Sequence, residues 1–177
     1  MLDATKIRFQ KLRMADLPLM HKWLATDEVR QWYGKQDTSY QQVVEQYSPA
    51  INGQEPTDCF LIVYTDTPIG YIQTYKISDY PDYSQYLQVS DDAAGVDLFI
   101  GEVAYLHQGL GCLILKRFLR EIVFVNPAMG SCILGPEPQN KVAIRAYEKA
   151  GFRYLKTVQI PDEEEPEYLM SISKDEV

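Results

Sequence analysis

The stretch Tyr105-Leu-His-Gln-Gly109-Leu-Gly111-Cys-Leu-Ile-Leu constrains the fold most, because of what flanks it. The apolar run Val96 to Ile100 precedes it and an amphipathic segment follows, so the order is strand, glycine turn, helix. Glycine takes positive φ readily and lets a ligand come close to the backbone. The first turn of the helix then presents N–H groups without intrahelical partners, with the positive end of the macrodipole behind them. That is a ready site for a pyrophosphate, cradled by Gln108, Gly109, Leu110, Gly111 and Cys112.

The rest of the chain predicts an α/β protein. Ile7 to Leu12 alternates apolar and polar residues and reads as an edge-type strand. Asp16 is a candidate N-cap for a helix with Leu17, Met20, Trp23 and Leu24 on one face. A short helix follows from Asp27, ended by Gly34, and another spans Tyr40 to Tyr47, closed by Pro49. Cys59 to Tyr64 and Ile69 to Tyr75 read as antiparallel strands across a turn at Thr65 to Pro68. Ser78 to Ala94 is rich in Asp, Ser and Tyr and reads as a long loop with room for one helical turn, a feature that is often functional. A strand from Gly95 to Ile100, a helix from Gly109 to Phe124, a strand at Ser131 to Leu134 and a helix from Lys141 to Lys149 come next. Gly151 is the C′ residue of that helix, and a hairpin around the acidic run Asp162 to Glu167 completes the pattern.

Composition narrows the function classes. The 177 residues suit one domain, residues 1–177, with a sizeable core. No run approaches the ~20 apolar residues of a membrane helix, and Met1 to Gln10 has no signal-peptide character, so a cytoplasmic location is expected. The net charge of −8 argues against a nucleic-acid partner and suits a cationic small molecule. Cys59, Cys112 and Cys132 lie in apolar surroundings without metal-ligand spacing, and with only two histidines no metal is expected. A monomer or homodimer fits equally.

Asn140-Lys-Val-Ala143-Ile-Arg-Ala-Tyr147-Glu-Lys-Ala-Gly151-Phe152 resembles the GNAT acetyltransferase pattern Asn-x-x-Ala-x-x-x-Tyr-x-x-x-Gly-Phe. Trp32-Tyr33-Gly34, Pro68-Ile-Gly70-Tyr-Ile-Gln73-Thr-Tyr75 and Gly95-Val-Asp97 extend the likeness to the aminoglycoside 6′-N-acetyltransferases, from about Ile7 to Met170. The resemblance implies a GNAT fold: a mixed, twisted sheet of six to seven strands, helices on both faces, and a central splay between parallel strands ending near Ile100 and Leu134. Acetyl-CoA would wedge into that splay. Its pantetheine arm would meet Phe99, Ile100 and Gly101 on one side and Asn140, Ala143 and Tyr147 on the other. Leu106 stands where most GNAT proteins have Arg or Gln, as it does in this branch.

Acetyl transfer to an amine requires an unprotonated nitrogen, a polarised thioester carbonyl and a proton for the leaving thiolate. By the resemblance, Tyr147 faces the coenzyme A sulfur and is the candidate general acid; its alternative is a core aromatic. Asp97 breaks an apolar strand, where Asp is disfavoured. It is the candidate base, or the carboxylate that orients the amine; its alternative is a solvated edge charge. Trp32, Tyr33 and Tyr47 would wall the acceptor site, since ammonium groups are attracted to aromatic faces; the alternative for Trp32 is a core position. Gln73 and Asp162 match substrate-side positions of the family.

One departure concerns the acceptor. An Asp usually follows the Ser131–Leu134 strand in the aminoglycoside enzymes, and here that residue is Gly135, with Glu137 as a possible substitute. The reading is therefore an acetyl-CoA-dependent N-acetyltransferase acting on a primary amine of a cationic small molecule, by direct attack in a ternary complex. Leu19-Met-His21-Lys-Trp23 with Asp27-Glu-Val29 also resembles siderophore hydroxylamine acyltransferases. A protein N-terminal acetyltransferase and a non-catalytic coenzyme A-binding module are further alternatives.

Overall fold

Positive φ at Thr65 (45°) and Asp66 (66°) makes a tight two-residue turn, and that turn sets the register of the first hairpin. The computed structural model describes residues 3–34, 38–161 and 163–177. The chain forms two compact units, Met1–Gln73 with Asp97–Leu110, and Thr74–Val96 with Gly111–Val177. Strand order in the seven-stranded sheet is β1-β2-β3-β4-β5-β7-β6.

In the first unit β1 (Ile7–Lys11) pairs antiparallel with β2 (Thr57–Tyr64), from Ile7↔Tyr64 to Lys11↔Phe60. It is the edge strand that its alternation predicts. β3 (Thr67–Lys76) and β4 (Ala93–Ile100) follow in the sheet order. Helix α1 (Leu17–Leu24) buries Leu17, Met20, Trp23 and Leu24, the face its spacing marks. Asp16 does not cap α1. Its carboxylate turns back to accept from the Arg13 N–H at 2.9 Å. Helix α2 is short (Asp27–Arg30).

Helix α3 (Tyr40–Ile51) starts at a capping box, in which Ser39 Oγ accepts from the Gln42 N–H and Gln42 Oε1 accepts from the Ser39 N–H. Pro49 lies inside this helix instead of closing it. The carbonyls of Ser48 and Pro49 still collect the N–H groups of Asn52 and Gln54, at 2.9 and 2.8 Å, so the last turn survives. The core of this unit gathers Trp23, Leu24, Val43, Tyr47, Tyr71 and Phe99, among others.

In the second unit the start of β4 runs parallel to β5 (Ser131–Leu134), from Ala93↔Ser131 to Gly95↔Ile133. The register ends there while β4 continues to Ile100, as a strand splay requires. β7 (Glu167–Ser173) pairs antiparallel with both β5 and β6 (Arg153–Val158), with an irregularity between Tyr154 and Lys156.

The segment 78–94, expected to be a loop with one helical turn, holds the end of a 3₁₀ turn (Ile77–Asp79) and the longer helix α4 (Pro81–Leu87). Pro81 suits the first helical turn, and Ile77 and Leu87 are buried with Ala93, Ile133 and Leu169. The tyrosines and aspartates that hide this pattern are the half-exposed and exposed positions. Helix α5 (Leu110–Phe118) passes into a π-helical turn (Leu119–Val123) where one uninterrupted helix was expected. Helix α6 (Lys141–Ala150) begins at Asn140 and ends at Gly151, whose φ is 110°. Cys59 and Cys132 are buried, whereas Cys112 is only half-buried. Among the described residues no helix is long and apolar enough to cross a membrane.

Candidate active site

Alternation along β3 places Tyr71 and Gln73 on one face. Gln73 Nε2 donates to Asp97 Oδ2 at 2.8 Å. Gln73 Oε1 accepts from the Tyr71 hydroxyl at 2.6 Å, and Cys59 Sγ lies 3.0 Å from the same hydroxyl. Asp97 is therefore a half-buried carboxylate held by a neighbouring strand and not a freely solvated edge charge.

Asp97 borders a cavity of about 280 Å³, lined also by Trp32, Tyr33, Gly34, Thr38 and Tyr47. Tyr33 packs edge-on against Phe99 with ring centres 4.9 Å apart, and Tyr47 against Tyr71 at 5.4 Å. Trp32 is half-buried and faces this cavity, so it belongs to the wall. Tyr47 is buried (3% exposed), and its hydroxyl meets the Tyr33 hydroxyl. Burial pushes the phenols of Tyr33, Tyr47 and Tyr71 well above the usual tyrosine range, and the nearby Asp97 carboxylate adds to this for Tyr33 and Tyr47. All three are neutral hydroxyls at working pH.

Below this site, Gly101 lets β4 end against the fully buried Trp23, since a Cβ there would run into the indole. Trp23 Nε1 donates to Glu102 at 2.8 Å, and Lys22 Nζ lies 3.0 Å from the same carboxylate. These bonds hold the Glu102 carboxyl below the usual glutamate range. The N–H of Gly101 donates to the Ile69 carbonyl at 2.8 Å. Phe99 is buried and Ile100 half-buried at the end of the same strand.

The glycine turn has the geometry the sequence predicts. Gly109 has φ 83° and is exposed, and a Cβ added to it would stand in open space. Leu110 buries its side chain, leaving its backbone to the turn. Gly111 and Cys112 are half-buried, and Gln108 Nε2 donates back to the Ala104 carbonyl. This open cradle at the start of α5 fits a pyrophosphate.

On α6 the Asn140 side chain accepts from the Ala143 N–H at 3.1 Å, so Asn140 acts as N-cap and Ala143 has its donor occupied. Tyr147 is half-buried, with its ring 6.4 Å from Phe152. Near Gly135 the acidic group is not the one expected. A Cβ at Gly135 would run into the carboxylate of Glu167, which accepts from the Tyr83 hydroxyl at 2.7 Å. Glu137 is half-buried in the turn before α6, where its carbonyl accepts from the Asn140 N–H. Asp162 lies outside the described residues. No group of three or more potential metal ligands occurs among the described residues.

The structure thus gathers Trp32, Tyr33, Tyr47, Gln73 and Asp97 in the first unit. Residues Glu137, Asn140, Ala143 and Tyr147 belong to the second. Sequence reasoning missed Tyr71, Thr38 and Glu167. The i, i+2 relation to Gln73 marks Tyr71, and the acidic run contains Glu167, but nothing marks Thr38.

A glycine turn opening a helix and a cavity walled by aromatic rings and one carboxylate, on a mixed sheet of this strand order, suit a coenzyme A-dependent N-acyltransferase. A family model described as an acetyltransferase (GNAT) domain matches residues 13–160. The aminoglycoside N(6′)-acetyltransferase type 1 of Klebsiella pneumoniae is 32% identical over 149 residues, which is 83% of this chain and 74% of that protein. A kanamycin resistance protein of Rhizobium radiobacter is 41% identical over 68 residues, covering 38% of this chain and 62% of that protein. The structure of AAC(6′)-Ib in complex with paromomycin and acetyl-CoA superposes with a TM-score of 0.86 at 29% identity, over 96% of this chain and 94% of that one. The chain belongs to the GNAT acetyltransferase family, and it is an N-acetyltransferase.

Proposed function

We propose that the chain transfers the acetyl group of acetyl-CoA to a primary amine of a cationic aminosugar, in the manner of an aminoglycoside 6′-N-acetyltransferase. The observation that carries this reading is the Asp97 carboxylate on the wall of an aromatic cavity of about 280 Å³. A carboxylate there attracts an ammonium group, orients it and takes its proton, directly or through water. Trp32, Tyr33 and Tyr47 offer ring faces to a sugar ring and its amines.

The amine nitrogen attacks the thioester carbon, the C–S bond breaks, and the departing sulfur takes a proton, which we assign to the Tyr147 hydroxyl. Gly109 to Cys112 hold the pyrophosphate at the start of α5, and holding both substrates in reach of one another supplies much of the rate. The Klebsiella relative is an aminoglycoside N(6′)-acetyltransferase, and AAC(6′)-Ib has been crystallised with ribostamycin and coenzyme A, which supports an acceptor of this class. A thiol-release assay with acetyl-CoA tests it across kanamycin, paromomycin, spermidine and a neutral alkyl hydroxylamine. Turnover should be greatest with the aminoglycosides. Preference for the hydroxylamine would refute the reading.

A further inference from the structure

The Gln73 amide has two ends of nearly equal shape and opposite hydrogen-bonding character, so a side chain at this place can sit in either of two orientations. In one, Nε2 donates to Asp97. In the other, the Asp97 carboxylate meets an amide oxygen. The Asp97 carboxylate, which only accepts, selects the first, and the Tyr71 hydroxyl completes it by donating to Oε1 at 2.6 Å. Resting on the reading of Asp97 as the acceptor carboxylate, we infer that Tyr71 is a positioning residue of this site. Its hydroxyl adds a second bond, at the oxygen end, that steadies the Gln73 amide in the orientation in which the carboxylate receives an N–H.

Tyr71 is built for that task. It is fully buried, and its ring is clamped by Tyr47 at 5.4 Å, Phe99 at 5.6 Å and Tyr33 at 6.5 Å. The hydroxyl has one proton and two neighbours able to accept it, Gln73 Oε1 and the Cys59 sulfur at 3.0 Å. Sulfur is the weaker acceptor, so the amide oxygen takes the bond. Burial keeps both the phenol and the Cys59 thiol protonated. The chain Tyr71, Gln73, Asp97 runs in one direction from the core to the cavity wall. No proton is transferred along it, since only the polarity of the amide matters.

Tyr71→Phe keeps the ring and removes only the hydroxyl. It should lower kcat/KM for the amine by about 10-fold, the usual scale of one hydrogen bond, and leave the KM for acetyl-CoA unchanged. In a Gln73→Met background the same substitution should have no further effect, because there is no amide left to orient. A packing role for Tyr71 would give the same loss in both backgrounds and would overturn the inference. So would an unchanged Tyr71→Phe alongside an impaired Asp97→Asn. If Asp97→Asn itself is unimpaired, the reading of Asp97 falls and the inference falls with it. Side-chain amide NMR of the unaltered enzyme needs no variant at position 71, with the Gln73 signals assigned by their loss in Gln73→Met. One Gln73 N–H proton should exchange slowly and the other fast. Equally fast exchange of both would overturn the inference.

Discussion

The Gln73 side-chain N–H of β3 donates to the Asp97 carboxylate of β4 across 2.8 Å. A hydrogen bond to a charged group contributes about 1.5–3 kcal/mol, roughly ten- to a hundredfold in an equilibrium. It holds the carboxylate in one orientation at the cavity wall. Gln73→Met should therefore lower kcat/KM for the amine by about ten- to a hundredfold. Steady-state kinetics with the amine as varied substrate measures this.

Tyr147→Phe removes the hydroxyl assigned to protonating the leaving sulfur and retains the ring near Phe152. kcat should drop by about 10–1,000-fold, with little change in the KM for acetyl-CoA. Unaltered kcat would leave Tyr147 as packing alone.

Gly109 has φ 83° and open space in front of it. Gly109→Glu places a carboxylate in that space and strains the backbone by about 1–2 kcal/mol. Calorimetric titration with acetyl-CoA should then detect no binding. Affinity equal to that of the unaltered chain would move the pyrophosphate elsewhere.

Glu102 connects stability to pH. Its carboxyl lies below the usual value of 4.5 because Trp23 and Lys22 donate to it. A carboxyl whose pKa falls on folding stabilises the folded state above its unfolded value, and this contribution is lost as pH falls through the folded value. Thermal stability should accordingly decline on acidification below about pH 4.5. Glu102→Gln should flatten that part of the pH profile in thermal melts.

Local patterns made much of this site legible. Gly109 follows a strand and opens a helix, and Asp97 interrupts an apolar run, so both were visible in the chain. The parallel pairing that stops at Gly95↔Ile133 was implied by the resemblance and not by spacing. Long-range effects were hidden. Donation by Gly101 to Ile69 depends on strand pairing, which periodicity does not report. The Glu167 carboxylate lies against Gly135 because β7 pairs with β5, a neighbour relation set by topology. The full length of helix α4 escaped notice because Asp82, Gln85 and Tyr86 form its exposed face, leaving few apolar residues to mark a period.

The central claim is that Asp97 receives the amine of a cationic acceptor. Thiol release from acetyl-CoA with kanamycin, compared between the unaltered enzyme and Asp97→Asn, tests it most directly. The substitution should lower kcat/KM by at least about 100-fold, the scale of a lost general base. The KM of the unaltered enzyme for kanamycin should rise with salt, as screening weakens the attraction between carboxylate and ammonium. Equal turnover by Asp97→Asn, with a KM indifferent to ionic strength, would contradict the account.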